Sequence, residues 1–103
     1  MIGDRYMNIF ESDGAKLFVK ALLSLETEEE CRLFIEDIMT TKEILDMSQR
    51  MLVAKLLDEG LVYSKIMQLS GASNTTISRV NRCYAYGGGG YKTVLGRIEG
   101  AEN

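Results

Sequence analysis

Apolar residues recur along this chain at helical spacing, not strand spacing. Leu17, Phe18, Ala21, Leu22 and Leu25 follow i, i+1, i+4, i+5 and i+8, which is one helical stripe. The stripe predicts a first helix over 13–24, capped by Ser12–Asp13. The run from Thr27 to Glu30 is a capping box, in which the Thr hydroxyl takes a free N–H and Glu30 reaches back. The helix behind it carries Cys31, Phe34, Ile35 and Ile38 on one side. A second capping box, Thr40-Thr41-Lys42-Glu43, puts a break near Met39–Thr40. A long helix then runs from about Thr41 to Glu59. Ile44, Met47, Met51, Ala54 and Leu57–Asp58 trace one face of it, and Leu45, Leu52 and Leu56 widen the stripe. Gly60 ends this helix. The chain has no proline, so only glycines and polar clusters interrupt its helices.

Three of these helices are apolar over more than half their circumference. A chain of 103 residues cannot easily cover them all. The expectation is an obligate homodimer in which helices of both chains share one core; the alternative is a compact monomer with some exposed leucines. The chain reads as one all-α domain in four stretches. These are an N-terminal tail (1–11), a helical dimerisation part (12–60), a helix-turn-helix (61–85), and a Gly-rich connector with a C-terminal helix (86–103).

The third stretch carries the functional signal. A short helix is predicted over Tyr63–Ser70, with Ile66 and Leu69 inward. Gly71 and Ala72 make a tight turn. Ser73 caps a second helix over Asn74–Tyr84, with Ile77, Val80 and Tyr84 inward. A small residue in the turn and apolar residues locking two short helices at a steep angle are what a helix-turn-helix requires. The second helix of such a unit enters the DNA major groove by its N-terminal end. Here that end presents Asn74, Thr75, Thr76 and Ser78, short polar side chains able to reach base edges or phosphates. Arg79 and Arg82 follow. Met67 departs from the pattern, since many such motifs have a small residue there.

Charge sharpens this reading. The net charge of −3 hides a segregation. Residues 1–60 hold seven Lys/Arg against thirteen Asp/Glu, whereas residues 61–98 hold five Lys/Arg and no acid. Such segregation points to a polyanion as the partner of the second half; a solvated face that happens to lack acids is the plainer alternative. No apolar run approaches the ~18 residues of a membrane span, and the N-terminus lacks the features of a signal peptide. Cys31 and Cys83 are far apart, with no CxxC, and sit on apolar helix faces. They are expected to be packing residues in a cytoplasmic protein. There is no histidine and no carboxylate pair apart from the Glu26–Glu30 run, so no enzyme is expected. The run Gly87–Gly90 is followed by Tyr-Lys-Thr, so it is not a P-loop. A flexible connector before a helix over Lys92–Glu99 is preferred to a phosphate-holding loop.

The segment Gly71-Ala-Ser-Asn-Thr-Thr-Ile-Ser-Arg-Val-Asn-Arg82, followed by Tyr86-Gly and Gly90-Tyr91, resembles the trp-repressor-like proteins of the YerC/YecD type, within the trp repressor superfamily. The likeness extends from about Leu17 to Ile98. It implies an intertwined, all-α homodimer with six helices per chain. Two helix-turn-helix units one DNA turn apart would read a near-palindromic operator.

By the same resemblance, Asn74, Thr75 and Ser78 match base-reading positions and Thr76 a phosphate-binding one. Tyr63, Ser64 and Arg82 also match positions at the DNA. Trp repressor holds its corepressor with a Thr, an Arg, and a second Arg followed directly by Gly. Thr40, Arg50 and Arg79 match the first three, and Val80 stands where the Gly belongs. That glycine leaves space for the indole ring. A different ligand, or none, therefore fits better than tryptophan; an amino-acid corepressor stays open, and no other cofactor or metal is expected. Arg50 equally reads as a surface charge pairing with Asp46. Two function classes follow. The first is a sequence-specific DNA-binding transcription regulator, a repressor by preference, with double-stranded DNA as partner. The second is a helical protein-interaction adaptor that no longer binds DNA.

Overall fold

The computed structural model describes residues 8–102. Six helices follow from Asp13 onward: α1 (Asp13–Ser24), α2 (Glu28–Ile38), α3 (Thr41–Asp58), α4 (Tyr63–Ser70), α5 (Asn74–Tyr86) and α6 (Gly90–Glu102). No strand occurs among the described residues. Residues 8–11 are helical as well, so the expected tail is helix over its last part; positions 1–7 lie outside the described residues. Two compact units are present, one ending at Ile38 and one beginning at Met39. The break at Ile38 thus divides the stretch 12–60.

The first unit holds α1 and α2. Ser12 caps α1, its hydroxyl accepting the Ala15 N–H at 3.2 Å. Thr27 caps α2 by accepting the Glu30 N–H at 3.1 Å. The Glu30 carboxylate reaches the N–H of Glu26 at 2.9 Å, one residue further back than a regular capping box. Phe18 and Phe34 meet with ring centroids 6.3 Å apart. Yet neither helix has a buried residue. Leu17 is 67% exposed and Leu23 80%.

The second unit holds the core. Val53, Ala54 and Leu56 of α3 pack with Ile66, Ala72, Ile77, Val80 and Leu95. Each fully buried Val or Ile contributes about 1.5–3 kcal/mol through apolar area removed from water. The buried side of α3 lies in its second half and includes Val53, which the predicted face omitted. Met47, expected on that face, is exposed, and so is Leu69 of α4.

Local chemistry sets the ends of these helices. Thr40 and Glu43 form the expected capping box at 3.1 and 2.9 Å. At the other end of α3, Gly60 takes φ +83°. Its N–H donates to the Leu57 carbonyl, and the N–H of Leu61 donates to that of Leu56, which is the Schellman pattern. The turn between α4 and α5 needs a left-handed residue, and Gly71 supplies φ +73°. Helix α5 runs two residues beyond the predicted Tyr84. Helix α6 begins at Gly90, inside the glycine run, so the connector is only 87–89.

Candidate nucleic-acid interface

Helix α5 has two opposite faces. Successive residues turn by about 100°, so Asn74, Thr75, Ser78, Arg79 and Arg82 share an arc of about 140°. All five are exposed, and together they line one shallow concavity. The other side carries Ile77 and Val80, both buried, and half-buried Tyr84. Apolar packing on one side thus turns the polar set outward.

Ser73 caps α5, its hydroxyl oxygen accepting the Thr76 N–H at 3.2 Å. The first turn contains no acid. The helix dipole therefore presents positive potential at this end, and Arg79 and Arg82 continue it along the same face. Free N–H groups and cations here suit a phosphate, and the short polar side chains suit base edges.

The remaining candidates lie elsewhere. Thr76 is half-buried, and its hydroxyl accepts from that of Ser73 at 3.2 Å, which ties it into the cap. Tyr63 and Ser64 open α4; Tyr63 packs against the core, and Ser64 is exposed.

Of the candidate effector residues, Thr40 caps α3, Arg50 lies within it, and Arg79 lies on α5. The Thr40 hydroxyl is engaged by Glu43 in the helix cap. Arg50 is exposed, with its guanidinium 4.0 Å from the Met47 sulfur. Its expected partner Asp46 is instead bonded to Lys42 Nζ at 3.0 Å. Of the two cations one turn away on either side, the lysine holds the carboxylate. Arg79 lines the outward concavity, while Val80 is only 4% exposed and packed in the core. Cys83, expected to pack, is exposed, because it falls about 40° from Arg79 and about 100° from Tyr84 around α5; Cys31 is half-buried.

Comparison with known proteins decides the family. The Trp repressor protein family profile matches residues 13–99. The chain belongs to the Trp repressor family. YerC of Bacillus subtilis (strain 168), an uncharacterized protein, is 45% identical over 82 residues, covering 80% of this chain and 79% of that one. A TrpR-like protein from Eubacterium eligens superposes with TM-score 0.85 at 42% identity, covering 89% of this chain and 95% of its own. A Trp-repressor candidate from Staphylococcus aureus gives 0.84 at 39% identity, over 90% and 93%.

Two long-range contacts of this Trp repressor family member escaped sequence reasoning. The Gln49 side-chain amide donates to the Ser70 carbonyl at 3.3 Å. The Tyr84 hydroxyl donates to Asp58 Oδ1 at 2.6 Å, and Lys92 Nζ lies 5.2 Å from the centre of the Tyr84 ring. The apolar stripe of α5 signals that Tyr84 points inward, but nothing local names its partner. The bond holds the phenol above its ordinary value of 10.0; burial, the Asp58 charge and the Glu99 charge act in the same direction.

Proposed function

We propose that this chain is a sequence-specific DNA-binding transcription regulator, acting as a repressor on a near-palindromic operator as a homodimer. The observation that carries the reading is the outward face of α5. Five exposed polar or basic side chains share it, opposite the buried face, within a stretch free of acids from 61 to 98. In this reading Asn74, Thr75 and Ser78 read base edges in the major groove. Arg79, Arg82, Thr76, Tyr63 and Ser64 meet the sugar–phosphate backbone and set the register.

The homodimer is supported by the first unit. Helices α1 and α2 bury no residue, while their leucines and Phe18 stand exposed. A second copy would cover them. Two α5 helices would then meet successive turns of the major groove. Tryptophan is disfavoured as a corepressor, because Val80 stands, buried, where the resemblance calls for a glycine.

The test is selection from a random duplex pool at moderate salt. Enrichment of a near-palindrome with half-sites one turn apart supports the reading. A folded dimer that enriches nothing, with or without added amino acids, and binds no duplex at ~100 mM salt overturns it.

A further inference from the structure

We propose that Tyr84 is a positioning residue for DNA recognition: its bond to Asp58 fixes the angle of α5 against α3, so the chain's own side chains set the reading orientation. This inference rests on the DNA-binding reading of α5.

Helix α5 is held unevenly along its length. Its buried residues, Ile77 and Val80, lie in its first half. From residue 81 to 86 no residue is buried. Apolar packing is non-directional, and beyond Val80 it is reduced to the half-buried Tyr84 ring, so that half of the helix is the less firmly fixed. From Ile77 to Asn74 is roughly 4–5 Å along the axis. A swing of about 10° about Ile77 displaces Asn74 by roughly 0.8 Å, enough to spoil base contacts that need placement within ~0.5 Å.

The far end is held by a directional contact. The Tyr84 hydroxyl donates to Asp58 at 2.6 Å across 26 residues of sequence. Asp58 is the last residue of α3, the helix that supplies three core side chains. Lys92 of α6 lies over the ring, at 5.2 Å. One side chain therefore joins α3, α5 and α6. At the near end, Gln49 of α3 bonds the Ser70 carbonyl, just before the turn into α5. Two polar ties about 14 residues apart along the chain define an axis that packing alone does not. The raised phenol value agrees with a hydroxyl that holds its proton for this bond.

The experiment measures affinity of the full chain for its selected operator and for a scrambled duplex at the same salt, well below the melting temperature. Tyr84→Phe is expected to weaken operator binding roughly three- to tenfold, the worth of one hydrogen bond, and to leave scrambled-duplex affinity unchanged. Asp58→Ala, which keeps the ring, should do the same and serves if Tyr84→Phe does not fold. Asp58→Asn retains an accepting oxygen and should stay within about twofold of the parent. A merely structural role would lower the active fraction and weaken both duplexes equally, leaving their ratio unchanged. An unchanged ratio in both Tyr84→Phe and Asp58→Ala overturns the positioning role while the DNA reading stands. A parent protein that selects no sequence overturns both.

Discussion

Arg79 and Val80 are neighbours in sequence and lie on opposite sides of α5, one exposed in the outward concavity and the other 4% exposed in the core. Their substitution should therefore divide stability from binding. Val80→Ala removes two buried methyl groups and is expected to cost about 2 kcal/mol. Arg79→Ala should change stability by less than about 0.5 kcal/mol, but weaken binding to operator and other duplexes alike and reduce the salt slope by about 1. Denaturant unfolding and fluorescence anisotropy on both variants check this. Equal stability losses would contradict the placement of the two side chains.

Within the exposed face, position along the helix should separate two kinds of contact. Arg82→Ala is expected to weaken binding to every duplex and to reduce the salt slope by about 1, as loss of one phosphate contact does. Asn74→Ala and Ser78→Ala should instead relax preference at particular bases, each by about 1–3 kcal/mol. Repeating the sequence selection with each variant gives the answer. Uniform loss on all sequences in all three would refute direct readout.

The exposed α1 stripe makes a prediction about assembly. Leu17 is 67% exposed in the single chain, so a charge there would cost a monomer little. In a dimer that covers this stripe, a buried unpaired carboxylate costs several kcal/mol. Leu17→Glu should therefore convert a dimer to monomers in sedimentation equilibrium. A parent chain that sediments as a monomer, or a variant that remains dimeric, would tell against a covering partner at this position.

Tyr84 should reveal itself in an alkaline titration. Asp58 of α3 and Lys92 and Glu99 of α6 surround the phenol. Its native value is raised above 10.0, so the folded state binds its proton more tightly than the unfolded chain does. The stabilisation is thus complete below pH ~10 and is lost as pH rises through the native value. Tyr84 should ionise later than its ordinary value, by ultraviolet absorbance. Tyr84→Phe should remove that late step and leave the others.

Much of this was legible beforehand. The ends of α1, α3 and α4 stand where Ser12, the Thr40–Glu43 box, Gly60 and Gly71 place them. The five outward residues of α5 follow from the positions of Ile77 and Val80. Other expectations failed on geometry that spans elements. The predicted face of α3 omitted Val53, because Met51 to Leu57 is apolar at every position but Lys55 and periodicity alone cannot say which arc meets α4 and α5. Leu69 was expected inside but is 50% exposed. The pairing of Arg50 with Asp46 lost to Lys42, a choice between two equally spaced cations.

The sequence by itself determined the helices, their caps and the polar face of α5. Those features depend on residues within about four positions of one another, where hydrogen bonds and the 3.6-residue repeat act directly. Only the tertiary structure decided which arc of α3 is buried, and that Gln49 meets Ser70 and Tyr84 meets Asp58. Those contacts join residues 21 and 26 positions apart. They exist only once the crossing angles of α3, α4 and α5 are set, and many side chains packing at once set those angles.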